Sequence, residues 1–199
     1  MFISFEGIDG SGKSTQARRL AESLRARGRE VVLTREPGGS PGAEEIRRLL
    51  VEGGEDRWSP ETELLLFTAA RRDHVERLIN PALARGAIVI SDRFADSSRV
   101  YQGLARAENR RLVEELHRLV IGIEPDLTFI IDIAAEVSLA RGALRGGAED
   151  RFESIGLGFQ QRLRQGFLDL ASESAGRFRV IDGNGSEDEV AARVLAALP

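Results

Sequence analysis

The chain has 199 residues, 42% of them apolar, enough to bury one sizeable core without a metal or disulfide. Its 28 basic and 32 acidic residues leave a formal net charge of −4, which argues against a nucleic-acid or anionic-membrane partner. Cysteine is absent, so disulfides, zinc–thiolate sites, iron–sulfur clusters and thiol catalysis are excluded.

The first predicted element is a strand, Phe2–Glu6. The opening Met1-Phe2-Ile3-Ser4-Phe5 lacks the basic start and apolar run of a secretory leader. No later apolar run is long enough to span a bilayer, so a cytoplasmic location is expected. After Gly7–Ser14 comes a helix with Ala17, Leu20, Ala21 and Leu24 at the i, i+3, i+4, i+7 spacing of one packed face, stopped by Gly28. A strand over Glu30–Arg35 is followed by helical stretches Ala43–Glu52 and Pro60–Arg85, the latter stopped by Gly86. Strand Ala87–Asp92, helix Asn109–Ile121 with its stop at Gly122, and strand Asp126–Asp132 come next. Helices Ala135–Leu144 and Phe152–Ala175, strand Arg177–Asp182 and helix Ser186–Leu198 complete the pattern. Gly53–Trp58 and Arg141–Arg151 read as mobile insertions. This alternation predicts a single three-layer α/β domain over residues 1–199, a five-stranded parallel sheet flanked by helices. The ligand site of such a sheet lies beyond the carboxyl ends of its strands, where Gly7–Ser14, Arg35–Gly39 and Asp92–Arg93 fall.

Gly7-Ile8-Asp9-Gly10-Ser11-Gly12-Lys13-Ser14 matches G-x-x-x-x-G-K-[ST] between a strand and an amphipathic helix. Glycines let successive backbone N–H groups curl around phosphate oxygens, and the helix N-terminus favours their charge. In this motif Lys13 reaches the β- and γ-phosphates and the Ser14 hydroxyl ligates Mg²⁺. Lys13 is also the chain's one lysine, every other basic residue being arginine. A lone compact ammonium suits a place where a planar guanidinium does not fit. Ile88-Val89-Ile90-Ser91-Asp92 ends in an acid that suits the Mg²⁺ shell, although many buried strands end so at a turn.

A phosphate loop leaves several classes open. No N-K-x-D run reads guanine, which disfavours a GTPase switch, and Asp92 is followed by Arg93 rather than a second acid, which disfavours a motor ATPase. A small-molecule kinase needs an acceptor cleft and a cationic lid that excludes water. Arg141–Arg151, with Arg141, Arg145 and Arg151 among glycines, fits such a lid and equally reads as a solvated loop. His74 and His117, on helices with apolar neighbours, read as structural or surface residues rather than acid–base groups.

Over nearly its whole length the chain resembles the thymidylate kinases, of the bacterial kind, within the P-loop nucleoside monophosphate kinases and their P-loop NTPase fold. The resemblance rests on Phe5–Thr15, Thr34-Arg35-Glu36-Pro37-Gly38-Gly39, Leu66-Phe67 through Ala70-Arg71-Arg72, Asp92-Arg93-Phe94 with Asp96-Ser97-Ser98, Tyr101-Gln102-Gly103, Pro125–Thr128 and Asp150–Glu153. It implies transfer of the ATP γ-phosphoryl group to dTMP, giving dTDP for dTTP biosynthesis, with Mg²⁺ and in a homodimer. It gives Gly7, Ile8, Asp9, Gly10, Ser11, Gly12, Lys13, Ser14, Thr15 and Arg141 to ATP, and Ser14 and Asp92 to the metal.

For the acceptor the same resemblance implies Phe67 stacked on thymine, though in Leu64–Phe67 it also reads as core. Arg71 and Gln102, with Ser98 nearby, are to bond the base edge, and Tyr101 is to lie under the sugar. Arg35, Arg47 and Arg93 surround the acceptor phosphate in this picture, with Asp9 and Glu36 at the sugar 3′-hydroxyl and metal region. Arg47 also reads, beside Arg48, as a solvated helix face. Arg145 and Arg151 are to close over the transferred group, and Lys13, Arg93 and Asp9 complete the implied catalytic set. The Gly183-Asn184-Gly185 turn is a candidate for the adenine edge or a plain connector. The loop carries no basic residue between Asp9 and Gly12, as some relatives do, which leaves the transition-state cation to the lid.

Overall fold

The computed structural model describes residues 1–53, 57–103, 107–145, 156–174 and 176–199, with the side chains of 107, 108 and 142–145 outside that description. Along the chain run β1 (Phe2–Glu6), α1 (Lys13–Ala26), β2 (Val31–Arg35), α2 (Pro41–Val51), α3 (Pro60–His74), α4 (Asn80–Ala84), β3 (Ile88–Asp92), α5 (Ala95–Tyr101) and α6 (Ala107–Leu116). Then follow β4 (Leu127–Asp132), α7 (Ala135–Arg145), α8 (Leu157–Glu173), β5 (Phe178–Asp182) and α9 (Glu187–Ala196). All ladders are parallel, in the order β2-β3-β1-β4-β5, so β1 sits centrally with its phosphate-loop turn at the sheet's middle.

Alternate residues of the strands feed two faces. On one, Ile3, Phe5, Ile90, Phe129 and Ile131 pack with Leu20, Ala21 and Leu24 of α1 and Val190 and Val194 of α9. On the other, Phe2 and Val89 meet Val75, Ile79 and Ala82, while Ile130 meets Leu163 and Phe167 of α8. Burial on both faces is why the strands read as nearly continuous apolar runs. Ser4, fully buried within β1, keeps its hydroxyl satisfied by Thr128 Oγ1 at 2.7 Å.

The helical stretch expected over Pro60–Arg85 is divided. A π-helical turn, Val75–Ile79, joins α3 to α4 and closes with the Asn80 N–H donating to Val75 O. Pro81 explains the change: it has no N–H, and its ring would strike the carbonyl four residues back in an α-helix. A second π turn, His117–Ile121, extends α6 and ends at Gly122, whose φ of +68° is readily taken by glycine. Strands β2 to β5 each begin one residue later than expected. Helix α5 was not expected, because it buries Asp96, Ser98 and Arg99 and so shows no apolar periodicity. The expected start of α8 at Phe152, and part of the insertions Gly53–Trp58 and Arg141–Arg151, lie outside the described residues. None of the described helices is long and apolar enough to cross a membrane.

Candidate active site

Between β1 and α1 the chain turns through residues 7–12. Helix α1 starts with Gly12 as N-cap at φ 94°, without a side-chain cap bond and without an acid in its first turn. No side chain thus caps the first N–H groups of this helix, an arrangement that suits an anion. Lys13 is buried, with Nζ 3.2 Å from Asp9 Oδ1 and 3.4 Å from Ile8 O. Asp9 Oδ1 also accepts from Arg93 Nη2 at 2.5 Å, and Oδ2 from the Tyr101 hydroxyl at 3.1 Å. Burial opposes ionisation of Asp9, but Arg93 and Lys13 outweigh it and hold the carboxyl well below its ordinary range. Helix α7 braces the loop: Ser138 Oγ donates to Asp9 O, and Arg141 Nη1 to Gly10 O at 3.4 Å.

Arg93, just past β3, is the one non-glycine residue with positive φ, 71°, among the described residues. Its surroundings over-determine that conformation. Its N–H donates to Phe5 O at 2.9 Å and its carbonyl accepts from Ser91 Oγ at 2.7 Å. Its guanidinium meets Asp9, Ser97 Oγ at 2.8 Å and the Tyr101 hydroxyl at 3.2 Å. Although burial works against its charge, the surrounding anionic groups hold Arg93 firmly protonated. Burial, in turn, pushes the Tyr101 hydroxyl upward, so it stays neutral.

After β2, the Glu36-Pro37 bond is cis and Glu36 is buried. Its Oε2 accepts from Arg71 Nε at 2.6 Å and its Oε1 pairs with His74 Nδ1 at 3.0 Å. Burial raises the Glu36 pKa, but Arg71 and His74 prevail and keep it ionised. Arg71 Nη2 donates to Ser98 Oγ at 3.1 Å and Phe94 O at 3.2 Å. Gln102, at the end of α5, donates to Glu63 Oε1 at 3.1 Å. Arg47 Nη1 donates to Pro37 O at 2.7 Å, while Arg48 beside it is exposed. Arg35 Nη2 contacts the Glu44 carboxylate at 3.2 Å.

These groups share one cleft of about 420 Å³, lined by Asp9, Lys13, Ser14, Arg35, Glu36, Arg47, Phe67, Arg71, Asp92, Arg93, Ser98, Tyr101 and Gln102 among others. Phe67 is half-buried and faces the cleft rather than the core. Thr15 lies beside the cleft on α1, not in its wall. Asn184 is likewise no part of that wall; its amide folds back onto Asp182 Oδ1 at 2.7 Å. Arg151 and the Arg145 side chain lie outside the described residues. Two residues at or beside the cleft were not anticipated, Glu6 and Ser97; His74, read as structural or surface, is fully buried and does not line the cleft. Glu6 and Ser97 stood within the matched motifs, but only the fold brings Glu6 to Ser97 Oγ and the Phe94 N–H.

Asp92 Oδ1 is buried with no hydrogen-bond partner among the described residues, and the Ser14 hydroxyl lines the same cleft. A carboxylate oxygen lacking a partner and an alcohol oxygen are the hard donors that suit Mg²⁺. The residues present therefore fit that ion.

A parallel sheet with a phosphate loop on its central strand, opening into a cleft of arginines and one aromatic wall, defines a P-loop phosphotransferase. The comparisons narrow the class. The thymidylate kinase family model matches residues 5–194. A thymidylate kinase of Dinoroseobacter shibae is 70% identical over 196 residues, covering 98% of this chain and 95% of its relative. One from Ruegeria pomeroyi is 67% identical over 194 residues, covering 98% and 92%. The crystal structure of thymidylate kinase from Ehrlichia chaffeensis matches with a TM-score of 0.81 at 38% identity, over 100% of this chain and 98% of that one. The chain belongs to the thymidylate kinase family.

Proposed function

We propose that the cleft holds dTMP against Phe67, Arg71, Ser98 and Gln102, and that ATP lies along the phosphate loop so that its γ-phosphoryl group meets the acceptor phosphate near Lys13 and Arg93. The chain is an ATP-dependent kinase that converts dTMP to dTDP. The observation that carries the site assignment is that a single cleft is lined both by phosphate-loop residues and by an aromatic wall with amide and guanidinium donors.

The acceptor is already an ionised phosphate, so the reaction needs no general base. Asp9 and Glu36 are held ionised and so serve as anchors rather than acids. Asp9 fixes Lys13 and Arg93 on one carboxylate, which sets the two cations before substrate arrives. Catalysis then consists of alignment and charge neutralisation: Arg35, Arg47 and Arg93 hold the acceptor phosphate, and Lys13 the β- and γ-phosphates. Phe67 stacks on the base, Arg71 and Gln102 bond its edge, and Tyr101 lies under the sugar, with the spare lone pairs of Glu36 open to the sugar hydroxyl. Ser14 and Asp92 would hold Mg²⁺, which, when bound, neutralises charge between the β- and γ-phosphates. Arg141 takes the ATP side of the loop, and Arg145 and Arg151 the lid.

We further propose one domain over residues 1–199, a cytoplasmic location and a homodimer. The dimer is supported by Leu65 on α3 and Leu119 on the π turn that packs against it, 53% and 68% exposed.

Lys13→Ala tests the assignment. Turnover is expected to fall by about a hundredfold or more, as when a preorganised transition-state donor is lost, while dTMP binding and the thermal midpoint persist. Turnover near that of the parent enzyme would refute the phosphate role.

A further inference from the structure

We propose that His74 is a positioning residue for the acceptor nucleotide: through Glu36 it fixes the direction in which Arg71 enters the cleft. The proposal rests on the reading of that cleft as the dTMP site. His74 is fully buried at the end of α3 and does not line the cleft, so any effect it has on substrate passes through another residue.

Both ring nitrogens are engaged. Nδ1 lies 3.0 Å from Glu36 Oε1 and Nε2 lies 2.8 Å from Thr34 Oγ1. A carboxylate can only accept, so Nδ1 carries a proton toward Glu36, while Nε2 faces the threonine hydroxyl. β2 thereby orients the imidazole, and the imidazole orients Glu36.

The second bond on Glu36 matters because a carboxylate turns easily about its terminal torsion. Held only by Arg71 Nε at 2.6 Å, Glu36 would act as a hinge; with His74 on the other oxygen its plane is fixed. Arg71 is then pinned at Nε by Glu36 and at Nη2 by Ser98 Oγ and Phe94 O. This leaves Nη1 as the guanidinium nitrogen without a hydrogen-bond partner among the described residues. The backbone keeps room for the relay: Gly39 sits at φ +90°, and a Cβ there would clash with Thr34 Oγ1 and lie 2.5 Å from His74 Nε2.

The test compares full-length His74→Leu and His74→Asn by calorimetric dTMP binding without ATP and by the separate KM values for dTMP and ATP. Leucine removes both bonds, whereas the asparagine amide reaches the place of Nδ1 and restores the donor to Glu36. His74→Leu is expected to bind dTMP about tenfold more weakly, the size of one hydrogen bond to a charged group, with KM for ATP within about twofold. His74→Asn is expected to recover dTMP binding to within about threefold of the parent enzyme. Unchanged dTMP affinity in folded His74→Leu overturns the proposal, as does a loss that His74→Asn leaves unrepaired although its thermal midpoint recovers.

If His74→Leu does not fold, Thr34→Val removes only the outer bond. It is expected to weaken dTMP about two- to threefold and spare ATP, and unchanged dTMP affinity there overturns the proposal equally. Arg71→Ala separates the site assignment from the positioning role. Normal dTMP binding in Arg71→Ala defeats the assignment of the cleft itself. Loss there, with none in His74→Leu, defeats only the positioning role.

Discussion

The ring of Phe67 stays half-buried in the cleft wall, whereas Phe167 is fully enclosed, with its ring centroid 6.3 Å from that of Tyr101. Exposure of a large apolar ring inside a polar cleft is sensible when a base covers it. Phe67→Ala should therefore weaken dTMP binding by about 1–3 kcal/mol, the usual loss of a base–aromatic stack, with little change in thermal stability. Unaltered dTMP affinity, measured calorimetrically, would assign the ring to packing alone. Glu6, fully buried, offers a pH-dependent test. It accepts from the Phe94 N–H at 2.7 Å and from Ser97 Oγ at 2.6 Å, and Ser97 Oγ in turn accepts from Arg93. Burial, with Asp96 nearby, pushes its carboxyl up to about 7 despite the opposing pull of Arg93. The folded state thus holds this proton more tightly than an unfolded chain titrating near 4.5. Its contribution to stability is fully present below that value and is lost as pH rises through about 7. Asp9 and Glu36, with lowered values, act in the opposite sense and lose their contribution only as pH falls through the acid range. Glu6→Gln fixes the neutral form, so its thermal midpoint should rise relative to the parent enzyme as pH goes from about 5 to 8. A difference flat across that range would contradict the assigned protonation.

Among the elements, α8 is held by apolar packing and α5 by ion pairs. Leu163 and Phe167 bury α8 against the sheet, so Phe167→Ala should cost about 3–5 kcal/mol, read as a lower denaturant midpoint at unchanged m-value. A loss well under about 1 kcal/mol would place the helix's anchoring elsewhere. Helix α5 instead inserts fully buried Asp96 between Arg99 at 2.8 Å and Arg177 at 2.7 Å, and it carries Ser97, Ser98 and Tyr101 to the cleft. This difference explains what was legible in the chain. The five strands and α1 announced themselves because apolar spacing is local and their glycine stops are single residues. Helix α5 left no such trace, since polar residues buried by distant partners mimic a loop. The phosphate loop was equally plain, because its lysine, serine and glycines are contiguous. The relay of Thr34, His74, Glu36 and Arg71 was hidden, since its members stand up to 40 positions apart and meet only where the end of α3 reaches Thr34 of β2 and Glu36 beyond it. His74 read as structural or surface, because nothing near it in sequence shows a carboxylate partner.

At the scale of the molecule, the sheet order puts three loops at one edge: residues 7–14 after β1, Arg35–Pro37 after β2 and Asp92–Arg93 after β3. Each brings one part of the chemistry. The first supplies Lys13 and helix N–H groups that no side chain caps, the second the Glu36 carboxylate that pairs with Arg71, and the third a permanent cation beside a carboxylate oxygen that has no hydrogen-bond partner among the described residues. Parallel strands make this convergence possible, because all their carboxyl ends point the same way. The proposed function requires one cleft that takes both a triphosphate and thymidine monophosphate and passes a phosphoryl group between them. The most direct measurement is ADP release from MgATP in a coupled assay across a panel of nucleoside monophosphates. Acceptor-dependent release strongly favouring dTMP, with dTDP formed in equal amount, is expected. ADP release that no monophosphate stimulates would contradict it.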